Sequence, residues 1–342
     1  MLGVRVGRAM AEDLRLALTS LRLVDKRLAI QDDGDAITIP LTSRPDQFVL
    51  RKYGAVLVEG SFTPRETRVD PIDMVREAAD IPDSLVGFLP DKWEQLGSVI
   101  VLKLPPELDE YEAEIGRAYA SALRATSVLR EVGGISGGMR TPSIRKLFGS
   151  DAVAVHKENG ITYKFDAEKL MFSSGNIEER MRMATIECDG ETVIDMFAGI
   201  GYFTLPMAVY RRPRKVIACE INPVAHSYLV ENIALNRVGP VVEPVLGDNR
   251  DLEGDGVADR VVMGYVRTTH EFLPTALRLL KDSGIVHYHE TCPRVLLPER
   301  PNKILQAAAS GGRVEILRSK EIKTYAPGVS HVVVDAKVFR RA

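Results

Sequence analysis

The spacing of apolar residues changes character along the chain. Near the N-terminus, AMAEDLRLALTSLRLV sets Leu14, Leu18 and Leu21 near one face at helical spacing. Turn residues in QDDGD then lead into an alternating strand over 36–41, and 43–66 reads as a connection with weak strands. From Asp70 the pattern predicts a helix over Pro71–Ala79, a buried strand over 98–104 and a second helix over Glu107–Val128. The glycines of EVGGISGGMRTPSIRKLFG break both periods, so that run is expected to be a flexible interdomain turn; it also lacks the Lys-Ser/Thr of a phosphate loop. AVAVHKENGITYKFD reads as a hairpin turning at Asn159-Gly160.

From about Ala167 the texture becomes alternating apolar strands and helices. Strands are predicted at 192–197, 215–221, 242–248, 259–265 and 284–290, with helical patterns between the first four and between the last two. Such repetition implies a largely parallel, doubly wound sheet. The pieces at 314–326 and 330–339 add a terminal antiparallel hairpin. The fold class expected is α/β: a C-terminal Rossmann-type domain over 167–342, preceded by small α+β domains over 1–62 and 63–166.

Composition narrows the setting. In 342 residues, 45% hydrophobic and 27% charged is the balance of a soluble globular chain with a proper core. No apolar run is long enough to span a bilayer, and the charged N-terminus lacks an export signal. Cys188, Cys219 and Cys292 lack metal-knuckle spacing and read as reduced thiols, which points to the cytoplasm. A net charge of -2 makes no global case for nucleic acid, so RNA binding would rest on local clusters such as Arg140, Arg145 and Lys146, or Arg318, Lys320 and Lys323.

The candidate chemistry begins at DMFAGIGYFT, where Asp195 ends a strand and Gly199 and Gly201 sit in the turn that opens a helix. Glycines there let a ligand approach the backbone. About 20 residues on, Glu220 stands at the next strand end, placed to accept bonds from both ribose hydroxyls. Asp248, with Asn249 beside it, ends the third strand and is placed to meet an adenine amino group. A dinucleotide site would want a third glycine where Thr204 stands, and Asp195 would repel phosphate but pair with an ammonium. A ribose, an adenine, an amino acid end and no phosphate together describe S-adenosyl-L-methionine. His287-x-His289 with Cys292 resembles a metal cluster, but a fourth ligand is not apparent and no metal is expected.

DMFAGIGYFTLP, CEINP, GDNR and KFDAEKLMFSSGNIEERMR resemble the tRNA wybutosine-synthesising enzymes of archaeal type that transfer an aminocarboxypropyl group. The resemblance covers about residues 70–342. The first 60 residues look more like the small N-terminal domain of a sister family, the archaeal tRNA guanosine-37 N1-methyltransferases. Gly264, where the sister family has asparagine, Asn249-Arg250 and the MFSSGNI stretch all favour the aminocarboxypropyl enzymes.

The resemblance implies attack by a carbon of 4-demethylwyosine, at position 37 of tRNA-Phe, on the γ-carbon of the methionyl group, with methylthioadenosine released. The alternative is guanosine-37 N1-methylation. It implies a donor site that includes Phe172, Ser173, Phe197, Ala198 and Ile221, and Gly264 is expected to open space beside the sulfonium. Arg140 would fix the methionine carboxylate or contact the tRNA, with Lys157 serving similarly. Glu179 would accept a proton or bond the base, or serve as a helix-start acid, and Tyr265 would stack on a ring. The implied partner is the tRNA anticodon loop, bound by a monomer with no membrane attachment.

Overall fold

The computed structural model describes residues 1–65, 70–136 and 141–340. It forms two compact units, Met1–Asp70 and Pro71–Ala342. In the first, strands β1 (Leu2–Gly7), β2 (Gln31–Asp32), β3 (Ala36–Pro40) and β4 (Val56–Glu59) make a sheet in the order β2-β3-β1-β4. Helix α1 (Arg8–Ser20) buries Leu14 and Leu18 with Val4, Val6 and Ile39. Leu21 falls past the end of that helix and stays 52% exposed, contrary to the expected stripe. The connection expected at 43–66 contains a helix, α2 (Gln47–Tyr53), whose first turn is capped by the Asp46 side chain accepting from the Phe48 amide.

The second unit opens with α3 (Pro71–Ala78) and α4 (Asp83–Val86). A four-stranded sheet follows, in the order β5 (Glu94–Leu96), β6 (Val99–Leu102), β7 (Ser127–Ser136) and β8 (Thr141–Phe148). The helix expected to reach Val128 ends much earlier. After a 3-10 stretch, α5 (Glu112–Leu123) stops at Arg124 in a left-handed conformation, which turns the chain into β7. The glycine-rich run is therefore strand in its described part, with register shifts against β8 that absorb the glycines. The hairpin β9 (Val153–Glu158) and β10 (Ile161–Asp166) turns at Asn159 and Gly160, both at positive φ.

The remaining strands are β11 (Thr192–Asp195), β12 (Lys215–Glu220), β13 (Val242–Leu246), β14 (Ala258–Met263), β15 (Leu280–Pro293), β16 (Arg313–Ala326) and β17 (Val329–Phe339). They form one sheet in the order β13-β12-β11-β14-β15-β17-β16. The first five are parallel, and β17 and β16 pair antiparallel beyond β15. Helices α6 (Ile177–Met183), α7 (Thr204–Tyr210), α8 (Pro223–Leu235), α9 (Leu273–Leu279) and α10 (Glu299–Ala308) complete the unit. Between β13 and β14 the expected helix is only a 3-10 turn, Asn249–Asp251, because just six residues, two of them glycines, separate it from the next strand. No helix among the described residues is long and apolar enough to cross a membrane.

Strand order reverses at β11, which has β12 on one side and β14 on the other. That switch point leaves a crevice at the carboxyl ends of the strands, the usual ligand position in open α/β sheets. Asn232 on α8 and Asn236 at its C-cap hold the hairpin against that helix. Asn232, fully buried, accepts from the Lys164 amide at 2.7 Å and donates to the carbonyls of Lys164 and Ile200. Asn236 brackets Thr162 in the same way. Asn232→Ala should leave three buried backbone groups without partners and lower stability by about 2–4 kcal/mol in a denaturant titration. A loss under about 1 kcal/mol would show that the α8–β10 link carries no such weight.

Candidate donor and base site

The turn after β11 is shaped by its glycines. Gly199 has φ 58°, and a Cβ there would meet the Tyr202 ring at 2.8 Å. Gly201 has φ 100°, and a Cβ there would meet Leu205 at 2.7 Å. The Gly199 amide donates to Glu220 Oε2 at 2.8 Å, and the Asn222 amide donates to Oε1 at 2.8 Å. Glu220 thus sits at the end of β12 with one backbone donor on each oxygen and lone pairs left over. Burial pushes its carboxyl above the usual range. Asn222 then caps α8, accepting from the Val224 amide, with Pro223 in the first turn.

These strand ends open on a cavity of about 840 Å³. Of the sequence-predicted residues, Ser173, Phe197, Gly199, Glu220 and Ile221 stand on its wall, as do Asp248, Asn249, Gly264 and Tyr265. Asn249 donates to the Met196 carbonyl at 2.9 Å, while its buried Oδ1 has no partner. An orphan acceptor beside a carboxylate with spare lone pairs suits the amino group and hydroxyls of an adenosyl moiety, so the residues fit such a ligand. Phe197 and Tyr265 stack with centroids 5.0 Å apart and planes 14° apart, and Phe272 meets Phe197 edge-on. Asp248 is clamped by Arg250, which donates Nε to Oδ1 at 2.9 Å and Nη2 to Oδ2 at 2.5 Å. That clamp holds its carboxyl below the usual range.

Other expectations meet a different geometry. Asp195 is fully buried and absent from the cavity wall; its Oδ2 accepts from the Thr204 hydroxyl at 2.8 Å and its Oδ1 from the Phe197 amide at 3.3 Å. A carboxylate turned into the protein in this way does not reach a ligand's ammonium. Gly264 does not open space, because Phe203 fills it: a Cβ on Gly264 would lie 2.6 Å from Phe203 Cε2. Phe172 is core, stacked on Phe165 at 5.3 Å with the Arg180 guanidinium 4.6 Å above it. Ala198 and Gly201 lie off the wall, shaping the turn beneath it. Glu179 is 1% exposed and bonded through both oxygens to Arg182, so it is not on the wall to touch a base. Lys157 is exposed on β9, away from the cavity. Arg140 lies outside the described residues.

Among the wall residues missed are three basic side chains. Arg180 is held by both oxygens of the buried Glu158 and donates Nη1 to the Ser173 carbonyl at 2.7 Å. Lys323, from β16, donates to the Ser173 hydroxyl at 2.8 Å. His331, from β17, is 5% exposed. Only Arg180 carried a local signal, as a basic residue inside GNIEER; the others come from strands whose pairing no spacing reveals. The cysteines are buried free thiols, and His287 is bonded to Asp335 and Arg260. No metal-holding group of three or more His, Cys, Asp or Glu is found among the described residues.

Comparison with known proteins follows the same lines. Residues 154–317 match the family model described as the TRM5/TYW2 methyltransferase domain, and 75–152 match the TYW2 N-terminal domain. A tRNA(Phe) (4-demethylwyosine(37)-C(7)) aminocarboxypropyltransferase of Pyrococcus horikoshii is 48% identical over 263 residues, covering 76% of this chain and 94% of that one. The tRNA (guanine(37)-N(1))-methyltransferase Trm5b of Pyrococcus abyssi is 34% identical, covering 98% of this chain and 99% of the other. The crystal structure of Methanocaldococcus jannaschii TYW2 in complex with AdoMet superposes with a TM-score of 0.61 at 42% identity, covering 73% of this chain and all of that one.

Burial raises the Asp195 carboxyl from 3.8 to about 6. The folded state therefore holds that proton more tightly than the unfolded chain. Stability is lost as pH rises from about 4 to about 6, by about 3 kcal/mol in all. Asp195→Asn should gain on the wild type across that window and hold a constant advantage above it, read from melting curves at each pH. A gap that does not change with pH would contradict a carboxyl raised by burial.

Proposed function

The chain belongs to the TRM5/TYW2 family, and from that premise we propose that it transfers the 3-amino-3-carboxypropyl group of S-adenosylmethionine to carbon 7 of 4-demethylwyosine at position 37 of tRNA-Phe, releasing methylthioadenosine. The observation that carries the reading is the Phe203 ring in the place where a side chain at position 264 would stand. The asparagine of the methylating sister family has no room there while Phe203 stays stacked on His289, with centroids 5.2 Å apart.

The sulfonium donor supplies three activated carbons on one sulfur, so positioning decides which of them is attacked. Glu220 binds the ribose hydroxyls, and Ile221 with Asn249 takes the adenine. Arg180 and Lys323 bring positive charge to the wall beside Ser173, where they meet the carboxylate of the transferred group. Phe197 and Tyr265 offer an aromatic face to a planar ring. Arg140 and Lys157 bind the tRNA.

The substrate is tRNA, and the contact assigned here is its anticodon loop, bound by a monomer in the cytoplasm. Functionally the chain divides at 1–62, 63–166 and 167–342, with the first segment an RNA-binding module. One observation favours a second reading, guanosine-37 N1-methylation: the Pyrococcus abyssi methyltransferase matches nearly the whole chain, the N-terminal unit included. Incubation with tRNA-Phe bearing guanosine or 4-demethylwyosine, and donor labelled in methyl or carboxyl carbon, separates the two. Carboxyl label in the tricyclic tRNA is the expected result. Methyl label in the guanosine tRNA, or tRNA binding without any transfer, would overturn the reading.

A further inference from the structure

The loop that leaves β14 holds an arginine in a backbone conformation that suits glycine. Gly264, Tyr265 and Val266 line the cavity, and the next residue, Arg267, has φ 79°. A Cβ makes that left-handed region unfavourable, and residues held there against their preference collect at ligand clamps and switch regions. The side chain is as constrained as the backbone. It reaches β16, where Nε donates to the Tyr325 hydroxyl at 2.8 Å and the guanidinium lies 6.0 Å from the centre of that ring. Tyr325 is a wall residue, so the bond fixes the guanidinium at the edge of the cavity. Arg180 and Arg250, which stand on the wall, are each gripped by both oxygens of a carboxylate, Glu158 and Asp248. Arg267 is exposed, and among the described residues no carboxylate or other acceptor meets its Nη groups.

We propose that Arg267 clamps a phosphate of the nucleotide whose base enters the cavity, with Tyr325 as the positioning residue that orients the guanidinium. The inference rests on the tRNA reading above. A guanidinium presents its N–H groups as a planar fork that matches two oxygens of one oxyanion. With Nε spent on Tyr325, the Nη edge is the part left for that bidentate contact. A planar base on the Phe197–Tyr265 face carries its phosphate one sugar away, and Arg267 follows Tyr265 by two positions.

A net charge of -2 gives the chain no general attraction for RNA, so a cation left without a carboxylate at the cavity edge acts as a local anchor. A phosphate contact of this kind sets register and orientation without reading sequence. It would hold the backbone while the cavity takes the base. The carboxylate of the sulfonium donor offers similar oxyanion chemistry. In the reading above that group is met by Arg180 and Lys323 beside Ser173, on another part of the wall, and the experiment separates the two sources.

The test measures tRNA-Phe binding by the full chain over a range of salt. Glycine suits the backbone at this position, so Arg267→Gly should melt within about 3 °C of the wild type or above it. Its tRNA affinity should nevertheless fall roughly 10-fold near about 0.1 M salt, and the slope of log affinity against log salt should shrink by about 0.7–1. Arg267→Gln, which also loses the charge, serves where the glycine variant fails to fold. Donor affinity, by calorimetry without tRNA, should stay within about 2-fold of the wild type. In a second arm the tRNA carries a neutral methylphosphonate on the 5′ or the 3′ side of position 37. One of the two linkages should weaken wild-type binding roughly 10-fold and cost Arg267→Gly nothing further. Tyr325→Phe should weaken tRNA binding about 3-fold alone and not at all in the Arg267→Gly background. Equal losses for wild type and variant on both neutral linkages, or a folded Arg267 variant within about 2-fold of wild-type tRNA affinity, would overturn the proposal. So would weakened donor binding with tRNA affinity intact, which would give Arg267 to the donor's carboxylate. A wild-type chain that does not bind tRNA-Phe would instead sink the function itself, and the clamp with it.

Discussion

One carboxylate ties the site together. Glu220, at the end of β12, receives an amide from the glycine turn after β11 and another from the start of α8. A strand end, a turn and a helix N-terminus are thereby fixed against a single planar group. Moving it would leave two backbone donors unpaired near the crevice, at about 1–3 kcal/mol each. The remaining lone pairs of that carboxylate face a cavity, so the interaction that shapes the turn also presents acceptors to a ligand.

Around it the protein uses burial in two ways. Asp195, beneath the wall, has its carboxyl pushed up to about 6 by desolvation and is held by Thr204, so it stiffens the turn. Elsewhere in the unit each guanidinium is set between two partners, Arg260 between Glu191 and His287 and Arg182 between Asp335 and Glu179. Such a network is expensive to desolvate and adds little to stability compared with apolar packing.

The parallel sheet was legible because each strand reads as a short apolar run followed by a helix pattern. Glu220 and Gly199 were legible because each lies within a few residues of a strand end. What the sequence hid depends on pairing across long separations. Lys323 meets Ser173 across 150 residues, and His331 meets His289 across 42. Periodicity also misled at β7 and β8, where irregular register lets glycines sit in a strand. Helix α2 escaped notice because seven residues are too few for a periodic signal, and its cap does the work. The reading of Gly264 as open space failed because a neighbour's ring, not solvent, takes the place of its missing side chain.

The central claim is that Glu220 holds the adenosyl ribose of the donor. Calorimetric titration of S-adenosylmethionine into Glu220→Ala tests it directly. Losing two hydroxyl bonds to a charged acceptor should weaken binding by at least about 100-fold, roughly 3 kcal/mol. Affinity within about 3-fold of the wild type, in a variant that still folds, would place the donor elsewhere and contradict the claim.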